Sequence, residues 1–157
     1  MPVMPAGFND ACSAFFRKHF DIFDRDKIGR VRNEDFATLI RACGATPLEA
    51  SIEDLRAIAD PSNRGSFSFD DFCAALRKAL AVSISPHEVR EAFQGFDPDK
   101  RGLINPHELR YFLTTMGDVL SAEEMNEFIE EMRSEMDMEG NLVVADSIYK
   151  MTPEMFR

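Results

Sequence analysis

Four short segments, residues 24–35, 60–71, 97–108 and 135–146, are rich in side chains that can present oxygen, and each has a glycine at its sixth position. The glycines Gly29, Gly65, Gly102 and Gly140 follow one another at intervals of 36, 37 and 38 residues. A hard divalent cation such as calcium takes six to eight oxygen ligands, and a twelve-residue loop supplies them from positions 1, 3, 5, 7, 9 and 12. Position 7 acts through its backbone carbonyl, and glycine at position 6 allows the sharp turn.

The donors in these loops are incomplete. Position 5 is Ile28, Arg64, Arg101 and Glu139, so three of the four offer no oxygen. Position 12, where a bidentate glutamate serves best, is Asp35, Asp71, Glu108 and Asp146. The third loop is the strongest candidate, with Asp97, Asp99, the Leu103 carbonyl, Asn105 and Glu108, but it carries Arg101 where an acceptor belongs. A fixed guanidinium beside a divalent ion is repelled by it. The first loop offers Asp24, Asp26, the Arg30 carbonyl and Asp35, again beside cations. The second loop contains Pro61 and Arg64, and the fourth starts at Glu135 and puts Val143 at position 9. No cofactor is expected to be required; a single calcium or magnesium ion is the one candidate.

The segments around the loops have helical periodicity. Phe16, Phe20 and Phe23 lie at i, i+4 and i+7 before the first loop, and Phe36, Leu39, Ile40 and Cys43 continue the pattern after it. Val89, Phe93 and Phe96 precede the third loop, and Leu109, Phe112 and Leu113 follow it. Ser85 and Ser121, each with glutamate three residues on, read as capping boxes, as does Thr46 with Glu49. Gly44 and Gly117 suit helix ends. Helix, twelve-residue loop and helix make an EF-hand. The expected fold is all-α, with eight helices in two lobes: residues 1–80, a linker at 81–85 bent near Ser83–Ser85, and residues 86–157. Position 8 of each loop is apolar (Val31, Phe67, Ile104 and Leu142), as a short strand pairing between neighbouring loops requires.

Charge separates the halves. Residues 1–80 carry eleven basic and twelve acidic side chains, residues 81–157 seven and sixteen. Such an acidic half disfavours nucleic acid and anionic membranes and favours basic segments. No run is long and apolar enough to span a bilayer. The opening residues 1–8 do not read as a secretory signal, and Pro2 does not fit a myristoylation motif. Cys12, Cys43 and Cys73 are widely spaced and read as buried thiols in a reducing compartment. Seven of the nine methionines lie in the second half, whereas phenylalanine dominates the first. A methionine-lined groove adapts to an amphipathic helix.

The stretches FRKHFDIFDRD with DFATLIRACG, and FQGFDPDKRGLINPHELRYFLTTMGDVLSAEEM, resemble the first hand and the third-to-fourth hands of the calmodulin superfamily. The likeness covers nearly the whole chain. It departs at the fourth hand, where Gly140 comes two residues late, as though two residues were inserted after Ile129. The degenerate loops, FDPDKRG and the tail GNLVVADSIYKM are similar to myosin light chains. That resemblance implies a non-enzymatic, cytoplasmic, cytoskeleton-associated light chain, largely calcium-independent, clasping a basic amphipathic helix of IQ type in a myosin or other motor. A calcium sensor like calmodulin, troponin C or centrin, or an axonemal dynein light chain, is the alternative. The partner helix is expected on Phe93, Phe112, Met116, Met125, Phe128, Met132 and Met151. Neither nucleic acid nor membrane is an expected partner.

Overall fold

The computed structural model describes residues 10–153. Phe8 and Met155, counted above among the apolar residues of the two halves, lie outside them. Among the described residues eight α-helices run in order: α1 (Asp10–Phe23), α2 (Phe36–Ala42), α3 (Ile52–Ala59), α4 (Phe69–Ala81), α5 (Pro86–Gln94), α6 (Pro106–Thr115), α7 (Ala122–Glu131) and α8 (Val144–Met151). Four short strands lie in the loops: β1 (Arg30–Arg32), β2 (Ser66–Ser68), β3 (Leu103–Ile104) and β4 (Leu142–Val143). The chain forms two compact units, the first ending at Ile84 and the second spanning Ser85–Thr152.

In the first unit β1 and β2 pair antiparallel with Val31 opposite Phe67; in the second, β3 and β4 pair with Ile104 opposite Leu142. These are the position-8 residues, and all four are buried. They fix the register because a one-residue slip would turn each out of its core.

The core of the first unit is built on phenylalanine. Phe16, Phe20, Phe36, Phe67 and Phe72 are fully buried. Phe36 meets Phe67 edge-on, with centroids 5.5 Å apart, and Phe67 stacks on Phe72 at 5.8 Å. Cys43 and Cys73 are buried near this core. Burial pushes the Cys43 thiol up to about 12, with Cys73 nearby adding to the effect, and the Cys73 thiol up to about 11. Both therefore stay protonated at neutral pH, and Cys12 is only partly buried.

Helix starts follow local chemistry at two of the three expected capping boxes. Ser85 accepts from the Glu88 amide while the Glu88 carboxylate accepts from the Ser85 amide, and Ser121 and Glu124 do the same. The box at Thr46 does not form. Glu49 pairs instead with Arg41 at 2.6 Å, and the Thr46 hydroxyl accepts the Ile84 N–H. Residues Glu49–Ser51 form a 3-10 turn, and α3 begins only at Ile52. Between α4 and α5, Val82 to Ser85 is non-helical. Gly44 and Gly117 have φ of 94° and 67° at the ends of α2 and α6, the left-handed backbone expected there.

Candidate functional site

The first three loops share one construction. Asp24, Asp60 and Asp97, at position 1, are each less than a tenth exposed. The carboxylate of each accepts two backbone N–H bonds from positions 5 and 6: Ile28 and Gly29, Arg64 and Gly65, Arg101 and Gly102. Lys27, Asn63 and Lys100, at position 4, all have positive φ.

The rest of the donor set does not gather. In loop one the Asp35 carboxylate is engaged by Arg25 at 3.2 Å, and Asp26 faces Arg32 at 3.7 Å. The Arg30 guanidinium reaches across to loop two, donating to the Ser66 hydroxyl at 2.9 Å and the Ser66 carbonyl at 2.7 Å. In loop three Asn105 caps α6 by accepting the His107 N–H at 2.8 Å, Asp99 and Glu108 are exposed, and Leu103 lies in β3. Among the described residues no group of three or more His, Cys, Asp or Glu side chains is placed to hold a metal ion. In loop one, Arg25 and Arg32 face the Asp35 and Asp26 carboxylates, and in all of the first three loops backbone amides take up the position-1 carboxylate.

Loop four departs from the twelve-residue pattern expected to start at Glu135. Glu135 closes a 3-10 turn, Arg133–Glu135, beyond α7. Asp137 takes the first-position role, with its carboxylate accepting the amides of Glu139 and Asn141 at 2.9 and 2.8 Å. Met136 bridges to Leu142, so the loop closes as a tight hairpin. The extra residues before the turn are absorbed by the 3-10 segment, and this lets Leu142 keep its pairing. Lys150 of α8 secures the segment by donating to the Glu131 carbonyl and to the Ser134 hydroxyl.

Accepted amide bonds hold the Asp60 carboxyl below the ordinary aspartate range: first the Arg64 N–H, then the Asn33 side-chain amide, against the opposing effect of burial. Asp137 is lowered by the Asn141 N–H in the same way. A carboxyl depressed in the folded state stabilises it above its unfolded value, and that contribution is lost as pH falls through the folded value. Urea midpoints should therefore fall below about pH 4, and Asp60→Asn should flatten that fall for the first unit. An unchanged slope in the variant would show that Asp60 is not a source.

The second unit covers its apolar residues less completely. Its buried core is Ile104, Leu109, Met125, Met132 and Leu142, with Ile148 also buried. Phe93, Phe96, Leu113, Leu120, Phe128 and Ile129 pack on that core while only partly buried. The Phe112 ring lies tilted against Phe96, centroids 4.8 Å apart, and is likewise half-covered. Met116, at the end of α6, is 61% exposed and Met151 is 38% exposed. Of the seven residues expected to meet a partner helix, Met125 and Met132 are buried in this structure, at 0% and 5% exposure. Periodicity put them on the apolar face of α7 but cannot rank depth within that face. Leu120 and Ile129 were not among those seven. Leu120 precedes the N-cap Ser121, the position where a hydrophobic staple sits.

Around this apolar surface, α7 carries exposed Glu123, Glu124, Glu127, Glu130 and Glu131. Glu130 pairs with Arg133 and Glu124 serves the Ser121 cap. The histidines are dispersed: His19 bonds the Phe15 carbonyl through Nδ1 at 2.9 Å, and His87 faces Glu91 at 3.4 Å. No helix among the described residues is long and apolar enough to cross a membrane.

A family model described as an EF-hand domain matches residues 17–80, and one described as an EF-hand domain pair matches residues 63–115. Together they take in more than half of the chain. The fold is similar to a chain in the regulatory domain of myosin II from Physarum polycephalum, with TM-score 0.68 and 24% identity over 90% of this chain and 95% of that one. It is also similar to a structure of Mlc1p bound to IQ2 of Myo2p, a class V myosin, with TM-score 0.69 and 22% identity over 88% of this chain and 97% of that one.

Proposed function

The chain belongs to the EF-hand family, and from that premise we propose that it is a non-enzymatic light chain whose second lobe holds a basic amphipathic helix of IQ type in a myosin or similar motor, largely without calcium. The observation that carries this reading is the unequal covering of the two cores. The first buries five phenylalanines completely, whereas the second leaves Phe93, Phe112 and Phe128 half-covered, with Met116 exposed beside an acidic helix. An apolar surface ringed by carboxylates suits the apolar face of a helix whose other side is rich in lysine and arginine. The structural neighbours, one of which is a light chain bound to an IQ segment, support the choice of partner class.

Calcium independence is supported by the engaged carboxylates, above all Asp35 with Arg25. The test is calorimetric titration of the full chain with a synthetic IQ-type peptide, once in EDTA and once in calcium. Equal affinities are expected. Binding that appears only in calcium would replace this reading with that of a calcium sensor.

The metal itself can be tested separately. The far-UV circular dichroism of the wild type should be the same in EDTA and in about 0.1 mM calcium, a level that fills sensor sites. Arg101→Asp, which exchanges a repelling cation for an oxygen donor at position 5, should raise calcium affinity, and Glu108→Gln should remove what that variant gains. Calcium binding of the wild type that survives Glu108→Gln, and disappears with Asp24→Ala, would instead belong to loop one.

A further inference from the structure

The first lobe has a pocket of about 380 Å³ that the partner-helix reading does not use. The 3-10 turn Glu49–Ser51 stands where a helical turn was expected, and the space beside it is walled by Pro47, Leu48 and Leu55 on one side and Val82 and Ile84 on the other. A reciprocal latch holds the two walls. The Thr46 amide donates to the Ser83 hydroxyl at 3.0 Å, the Ile84 amide donates to the Thr46 hydroxyl at 3.0 Å, and Ser83 in turn donates to the Ala79 carbonyl at 2.9 Å.

The latch occupies the hydroxyls of Thr46 and Ser83, so the walls offer mainly hydrocarbon. Leu48, Val82 and Ile84 are 64%, 76% and 52% exposed, so much of their apolar surface would be covered by an occupant. Apolar area removed from water is the main source of such binding. Two charges of opposite sign also line the pocket: Asp54 in the first turn of α3 and Lys78 in the last turn of α4. Each sits at the helix end whose dipole favours its charge.

We infer that this pocket is a docking site for one large apolar side chain of a partner protein, carried on a segment with a basic residue on one side for Asp54 and an acidic residue on the other for Lys78. The volume is at the small end of the range for ligand pockets, which suits a single aromatic anchor. The latch prepares the pocket before the partner arrives, so little ordering cost opposes binding. The site lies in the first lobe and does not depend on the partner-helix reading of the second.

The probe is the capped pentapeptide Lys-Ala-Phe-Ala-Glu, titrated into the full chain and followed by methyl NMR. Resonances of Leu48, Leu55, Val82 and Ile84 should shift together and saturate, while those of Ile22 and Ile28, exposed elsewhere on the lobe, should not move. The peptide with alanine in place of phenylalanine should give no shifts. Leu48→Asp and Val82→Asp change residues that already face water, and each should abolish the shifts while keeping the wild-type melting profile. Asp54→Asn combined with Lys78→Gln should weaken binding about threefold, as exposed ion pairs allow. Absence of shifts at the four methyl positions, or equal shifts at Ile22 and Ile28, would overturn the docking site. Unchanged affinity in the Asp54 and Lys78 double variant would overturn the charge requirement.

Discussion

Met116→Ala should make a bound basic amphipathic helix leave the full-length chain about tenfold faster, with little change in melting temperature. The expectation rests on where Met116 sits. At 61% exposure it contributes little to the folded second lobe, so its truncation removes surface available to a partner and almost nothing else. Burying a methionine side chain is worth roughly 1.5–3 kcal/mol, and about 1.4 kcal/mol corresponds to a factor of ten. Phe128→Ala should cost more, about thirtyfold or above, as truncation of a central aromatic anchor does. Phe128 also packs on the lobe's own core, so its variant must be compared at matched folded fraction. Met125→Ala and Met132→Ala should behave differently: both are buried, and each should destabilise the lobe itself by about 2–5 kcal/mol. Stopped-flow release of a labelled peptide measures the first effect and urea unfolding the second. The acidic character of residues 81–157 should appear in the association rate, which should fall as salt rises, because screening acts over about 8 Å at physiological ionic strength. If Met116→Ala and Phe128→Ala left dissociation unchanged while salt alone released the peptide, the contact would be electrostatic and no apolar clasp would exist.

Phe67→Ala should unfold the first lobe, or leave it about 3–5 kcal/mol less stable. Phe67 occupies position 8 of loop two, so it is at once a strand residue opposite Val31 and a fully buried core side chain. Its ring lies against Phe20, Phe36 and Phe72, with centroids 6.2, 5.5 and 5.8 Å away. Aromatic pairs of this kind add about 0.5–1.5 kcal/mol each beyond the area they bury. Truncation therefore removes a large transfer free energy and leaves a void among rigid rings that cannot close around it. Ile22→Ala, also in this lobe but 64% exposed, should stay within about 0.5 kcal/mol of wild type. Urea denaturation monitored at lobe-specific methyl resonances separates the two. Equal effects at the two positions would mean that the phenylalanine cluster is not what holds the lobe.

The parts of the structure that could be read from the sequence are those set by residues close together in the chain. The glycine spacing and apolar periodicity specify four helix–loop–helix units. The capping boxes at Ser85 and Ser121 form because donor and acceptor are three residues apart on one helical turn. The strand pairs follow from the same position in each loop being apolar. What depended on tertiary structure involves competition from distant partners. Thr46 has the residues for a capping box but is taken by Ile84, 38 positions away, and Glu49 is taken by Arg41. Asp35 has the position of a calcium ligand, yet the fold turns Arg25 onto it. Helical spacing put Met116, Met125 and Met132 among the residues facing a partner, but packing buries two of them and leaves one in water. A periodic pattern specifies direction around a helix axis, and depth is decided only when the other helices arrive. The same holds for the fourth loop. Its glycine and Leu142 mark where the strand must pair, while the path from α7 to that strand was free to become a 3-10 turn and a hairpin because pairing with Ile104 fixes only the end point.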